Sequence, residues 1–172
     1  MKKNNIVLVG FMGTGKSTVG KQLSSKLGWE FVDTDHMIEH RENMSIPEIF
    51  SKKGESYFRE VETRIIQEVL SNDMQVIATG GGSVLRLQNR SRMLSHGTVV
   101  QLDADAEIII KRLEGEKLKR PLLQGDLEEK VYEMMERRKH AYEFADFVID
   151  TNVFEVESIV EQIYNVVVLH KI

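Results

Sequence analysis

Apolar residues in this chain gather in short, nearly unbroken runs at 6–9, 30–32, 76–78, 99–102 and 147–149. Between them lie stretches whose apolar residues recur at helical spacing, at 19–27, 46–53, 56–70, 106–113, 127–145 and 156–169. Continuous apolar strands alternating with helices predict a parallel sheet covered on both faces. No repeat, low-complexity segment or linker interrupts the pattern, so one α/β domain over 1–172 is expected. Gly28 is placed to cap the first helix. Ser45-Ile46-Pro47-Glu48 carries a capping-box signature, and Gly54 marks a stop before a second helix.

The first run leads directly into Gly10-Phe11-Met12-Gly13-Thr14-Gly15-Lys16-Ser17-Thr18, and a helix follows. Strand, glycine-rich loop and helix form the context a P-loop requires. Glycines let successive N–H groups turn inward, and the helix adds its positive end. The result is a socket for a polyphosphate. Lys16 reaches the terminal phosphates, and the Ser17 hydroxyl suits Mg²⁺. The motif indicates a nucleoside triphosphate without naming the acceptor.

Further candidates stand at the carboxyl ends of the predicted strands, where open parallel sheets bind ligands. Asp33-Thr34-Asp35 follows the second strand. Read as extended chain, it places both carboxylates on one side, facing the loop's ligand; a solvated turn capping the next helix is the alternative. Gly80-Gly81-Gly82 follows the third strand and allows close backbone approach to a ligand, with a loose turn as the alternative. Arg59 and Glu62 share a helix face. They form either a surface ion pair or an arginine held ready for an anionic substrate. The excursion between the second and third strands is too long for a simple crossover, and predicts a substrate-binding subdomain over about 34–61. The polar, charged segment at about 113–124 reads as a mobile lid, with Arg120 as its candidate phosphate contact. Arg137 and Arg138 fall near the middle of the predicted 127–145 helix.

Charge and composition narrow the classes. A net charge of −4 gives no footprint for nucleic acid or an anionic membrane. There is no cysteine, hence no disulfide, thiol nucleophile or cysteine metal site. The five histidines are read as ordinary surface or partly buried residues. No signal-peptide order or membrane-length apolar run occurs, so a cytoplasmic protein is expected.

Together these motifs resemble the shikimate kinases, within the nucleoside-monophosphate-kinase-like P-loop group. The matching residues are the loop at 10–18, Asp-Thr-Asp at 33–35, Ile-Phe at 49–50, and Gly-Glu at 54–55. They continue with Phe58-Arg59, Glu62, the triple glycine, Arg-Pro-Leu-Leu at 120–123, and Arg138 four residues before Tyr142. The resemblance covers nearly the whole chain in the family's order. It implies a three-layer α/β/α sandwich around a five-stranded parallel sheet of order 2-3-1-4-5, and transfer of the ATP γ-phosphoryl group to shikimate on the route to chorismate. It also implies roles. Gly13, Thr14, Gly15, Lys16, Ser17 and Thr18 would hold ATP phosphates, with Arg112 against adenine and Arg120 closing from the lid. Ser17 and Asp33 would serve Mg²⁺. Asp35 would bind the shikimate hydroxyls and act as, or assist, the base. Arg59, Gly80, Gly81, Gly82 and Arg138 would hold the rest of shikimate. A monomer is implied. Gln101 departs from the family pattern, which commonly has an aromatic residue there. Rival readings are a gluconate or nucleoside monophosphate kinase, and a nucleotide switch protein. The guanine-reading string Asn-Lys-x-Asp of such switches is absent.

Overall fold

The computed structural model describes residues 4–114, 126–152 and 155–169. Five parallel strands, β1 (Asn5–Val9), β2 (Glu30–Asp33), β3 (Gln75–Ala78), β4 (Gly97–Asp103) and β5 (Phe147–Asp150), form one sheet in the order β2-β3-β1-β4-β5. This is the order the resemblance implies. Each strand run anticipated from the sequence is present, extended by one to three residues. Among the described residues, seven α-helices, α1 (Lys16–Leu27), α2 (Thr34–Glu42), α3 (Ile46–Val69), α4 (Leu87–His96), α5 (Ala106–Leu113), α6 (Leu127–Arg138) and α7 (Val156–Leu169), accompany the strands.

The central strand shows why both faces are covered. Ile6 and Leu8 join Val19 and Leu23 of α1 and Ile159 and Ile163 of α7. Val7 and Val9 turn the other way, onto Ile65 and Ile66 of α3 and Met93 of α4. All four strand side chains are fully buried. Burial of this kind stabilises by about 1.5–3 kcal/mol per side chain, so a strand with one polar face could not occupy this position. A third, smaller cluster sits at the sheet's carboxyl end: Phe11, Ile109, Leu113, Leu127 and Val131 pack α5 and α6 beneath the glycine-rich loop.

Gly28 caps α1 in the left-handed region, at φ 67°. Gly54 breaks α3 at φ 83°, ψ 168°, so the two predicted helices form one kinked element. Glu48 Oε2 accepts from both the amide and the hydroxyl of Ser45, at 2.9 and 2.8 Å. The predicted 127–145 helix, however, stops at Arg138, and a 3₁₀ turn (Lys139–Ala141) follows. The stop is tertiary in origin. Tyr142 must leave the helix for its hydroxyl to donate to the Gly81 carbonyl at 2.7 Å. Arg138 therefore sits at a helix end rather than mid-helix. Among the described residues, no helix is long and apolar enough to cross a membrane.

Candidate active site

The loop after β1 opens at the centre of the sheet. Gly13 and Gly15 take φ 81° and 92°. Gly10 lies so close to β4 that an added Cβ would stand 2.3 Å from the Leu102 carbonyl oxygen. The Lys16 ammonium donates to the carbonyls of Gly10 and Phe11 at 2.9 and 2.8 Å, which holds it across the loop. Ser17 Oγ donates to Asp33 Oδ2 at 2.6 Å.

Asp33 has a second task. Its Oδ1 accepts from the amides of Asp35 and His36 at 3.1 and 3.3 Å, as the N-cap of α2. Contrary to the extended chain expected at 33–35, Asp35 lies in the first helical turn, not two residues along a strand. Both carboxylates still border one cavity of about 440 Å³ with Lys16, Ser17, Gly81 and Arg112. Gly13, Thr14, Gly15 and Thr18 line it as well.

The three glycines work differently from the sequence expectation. None of them has positive φ. The Gly80 amide donates to Thr34 Oγ1 at 3.2 Å, so it is engaged inside the protein. What the glycines supply is room. A Cβ at Gly80 would stand 2.5 Å from Asp35 Oδ1 and 3.0 Å from Glu62 Oε1. One at Gly82 would stand 2.5 Å from an Arg59 guanidinium nitrogen. Gly81 borders the cavity, and its carbonyl accepts from Arg138 at 3.4 Å as well as from Tyr142.

Arg59 and Glu62 form no surface bridge. Arg59 Nη1 donates to Glu62 Oε2 at 2.9 Å, with the glutamate side chain 1 % exposed. Glu55 takes the other side of the guanidinium, at 3.2 Å, and Phe58 lies under it, its ring centre 5.1 Å away. Burial pushes the Glu62 carboxyl up to about 7 against the pull of Arg59, and the Asp35 charge adds to the rise. Burial pulls the Arg138 guanidinium below the usual arginine value, and neighbouring Arg59 works in the same direction. A buried pair of guanidinium groups that feel each other's charge is a place where an anion is stabilised.

At the other end of the cavity, Arg112 donates to the carbonyls of Gly13 (3.3 Å) and Thr151 (2.7 Å). Thr151, Val156 and Ile159 complete a less polar wall. Sequence reasoning did not single out Thr79, Tyr142, Val156 or Ile159. Only Tyr142 left a trace, as part of the Arg138 spacing. Arg120 and most of the 113–124 segment lie outside the described residues.

A phosphate-binding loop at the sheet's switch point, with a lysine, a hydroxyl–carboxylate pair and a neighbouring arginine pocket, defines a P-loop kinase of small molecules. The comparisons narrow the class. The shikimate kinase family matches residues 12–168. The shikimate kinase of Thermodesulfovibrio yellowstonii is 48 % identical over 160 residues, covering 92 % of each chain. That of Geobacter sulfurreducens is 45 % identical over 168 residues, covering 97 % of this chain and 92 % of its own. Among solved structures, the shikimate kinase from Acinetobacter baumannii in complex with shikimate superposes with a TM-score of 0.94 at 38 % identity, covering 98 % of this chain and 95 % of that one. The chain belongs to the shikimate kinase family. A sugar kinase from Janibacter, 15 % identical with a TM-score of 0.59, shares the fold alone.

Proposed function

We propose that this protein transfers the γ-phosphoryl group of ATP to a hydroxyl of shikimate, giving ADP and shikimate 3-phosphate. The observation that carries this reading is one cavity bringing Lys16, Ser17, Asp33 and Asp35 to the edge of the glycine turn, with Arg59 and Arg138 behind that turn. A polyphosphate site thus adjoins a basic pocket suited to a small carboxylic acid.

In this reading the loop at 13–18 cradles the phosphates, with Lys16 at the terminal ones. Arg112, Thr151, Val156 and Ile159 form the wall that receives adenine. The residues present also fit Mg²⁺. Ser17 Oγ and Asp33 Oδ2 are hard oxygen donors already in contact, and Mg²⁺ is commonly held by few protein ligands beside phosphates and water. Among the described residues no group of three or more acidic, histidine or cysteine side chains forms a metal cage, consistent with that shared mode. Ser17 and Asp33 would hold the ion, whose chemistry is to neutralise charge on the phosphate oxygens. Asp35 receives the acceptor hydroxyl and its proton. Arg59 and Arg138 pair with the shikimate carboxylate, and Arg120 closes over the phosphates. The segment 34–61 is the substrate-binding part and 113–124 the lid. The protein acts as a cytoplasmic monomer.

A coupled ADP assay across shikimate, gluconate and nucleoside monophosphates tests the acceptor. ADP release is expected to depend on shikimate alone. Equal stimulation by gluconate or a nucleoside monophosphate would replace the assignment. Arg138→Ala is expected to raise the shikimate KM at least tenfold, since a charge-assisted bond contributes about 1.5–3 kcal/mol, while the ATP KM stays within about twofold. A change confined to thermal stability would remove Arg138 from the site.

Gly82→Ala tests the pocket from behind. Its methyl group displaces the Arg59 guanidinium without altering any charge. Steady-state kinetics should show the shikimate KM raised about tenfold and kcat reduced less, the pattern of lost ground-state binding. Unchanged kinetics would mean that Arg59 binds nothing where it now stands.

A further inference from the structure

We propose that Glu62 is a proton-coupled positioning residue: it holds Arg59 as a carboxylate before substrate arrives, and takes up a proton when the shikimate carboxylate pairs with the same arginine. The inference rests on the reading of Arg59 as a shikimate-binding residue.

The geometry carries it. Glu62 projects from α3 into the protein and its side chain is 1 % exposed. One oxygen, Oε2, accepts from Arg59 at 2.9 Å. The other, Oε1, is buried without a hydrogen-bond partner among the described residues. That oxygen and Asp35 Oδ1 flank Gly80, at 3.0 and 2.5 Å from the point a Cβ there would occupy. A buried carboxylate normally satisfies both oxygens. Here one is left beside a second carboxylate, the arrangement in which a carboxyl group gains by taking a proton.

The surrounding charges set the direction. From its own helix Glu62 faces Arg59, whose far side is held by Glu55. Asp35 approaches from α2, and Arg86 from the connection into α4. Arg138 and Tyr142, from the segment ending α6, lie beyond Arg59. Burial already pushes the Glu62 carboxyl up to about 7, because desolvation outweighs the attraction of Arg59. An incoming carboxylate takes a share of Arg59 and adds a negative charge nearby. Both effects favour the neutral form of Glu62, so its pKa rises further on binding. A group whose pKa rises on binding takes up protons, and affinity falls as pH climbs through the unbound value. The substrate's own carboxylate is ionised throughout this range and contributes no such dependence.

The proton therefore compensates the charge change. Arg59 is kept in place, and its counter-charge is removed when the ligand supplies a replacement. A fixed carboxylate would compete with substrate for the guanidinium, whereas a fixed neutral group would leave Arg59 without its buried partner. This role belongs to Glu62 through Arg59, and requires no contact between Glu62 and the reacting atoms.

Calorimetric titration of the protein with shikimate, at pH 7 in phosphate and in Tris, counts protons taken up from the difference in apparent heat. A rise of one pKa unit from about 7 corresponds to uptake of about 0.4 proton. Glu62→Gln keeps an acceptor for Arg59 but cannot titrate, and should lose this uptake while still binding. In parallel, the wild-type shikimate KM should rise up to about tenfold between pH 6 and 9, and stay flat in Glu62→Gln, whereas a purely structural role would shift KM equally at every pH. Independently of how the variant folds, the wild type supplies a second measurement: the ¹³C resonance of the Glu62 carboxyl should titrate at higher pH with shikimate bound than without it. Shikimate binding with no proton uptake, equal uptake in Glu62→Gln, or an unmoved carboxyl titration overturns the proposal while leaving the kinase reading intact. Failure of the wild type to bind or phosphorylate shikimate overturns the substrate assignment, and this proposal with it.

Discussion

Lys16→Met should fold normally and lose at least about hundredfold in turnover. Its ammonium is fixed across the loop by the Gly10 and Phe11 carbonyls, where the proposed terminal phosphates lie. Charge develops on those oxygens during transfer, and a preorganised cation meets it without reorganising. Removing one interaction of this kind raises the barrier by about 3 kcal/mol or more. Methionine keeps most of the buried stem, so Lys16→Met separates charge from packing better than alanine would. Single-turnover phosphoryl transfer at saturating ATP and shikimate is the measurement. Near-normal transfer by a folded Lys16→Met protein would remove the P-loop from the chemistry.

The second large effect is expected at Asp35. Asp35→Asn should cut kcat by about 10²- to 10⁴-fold, because an amide cannot accept the hydroxyl proton. Mg²⁺ and ATP dependence should be unchanged. Asp33→Asn should show the complementary behaviour, a higher Mg²⁺ requirement with a smaller loss of turnover at saturating metal. The comparison is fair to the fold, since asparagine caps a helix about as well as aspartate and the α2 cap on the Asp35 and His36 amides is kept. Mg²⁺ titrations of kcat at saturating shikimate distinguish the two. Identical Mg²⁺ curves with equal losses would end this division of labour.

The features legible in the sequence were those written locally. Runs such as Ile6–Val9 announce strands because both faces of the sheet are covered. The 10–18 loop announces itself because its glycines and lysine act within nine residues. Features set by distant partners were not legible. Helix α4 buries little apolar surface beyond Met93, so its polar sequence carried no helical stripe. Nothing within 127–145 says that the helix ends at Arg138, because the stop is made by Tyr142 reaching Gly81, 61 residues away. The triple glycine was visible as a candidate site, but the structural reason for it was not. Its need for room comes from Asp35, Glu62 and Arg59, which only the fold brings against it. Arg112 was identified from resemblance; its anchoring to Thr151 depends on β5 ending beside β4.

The position of β1 also bears on the order of events during synthesis. Ile6 pairs with Val76 on one side, and Val7 with Val99 on the other. The central strand thus has no first strand neighbour until some seventy more residues exist, and no second until over ninety do. Pairings this distant in sequence form slowly. For that interval a short apolar segment of high strand propensity waits without its strand partners, with α1 near enough in sequence to cover only its Ile6 and Leu8 face. The strand that leads into the glycine-rich loop is therefore a vulnerable stretch of the nascent chain, and slowing translation just before β3 should increase aggregation more than slowing it after β4.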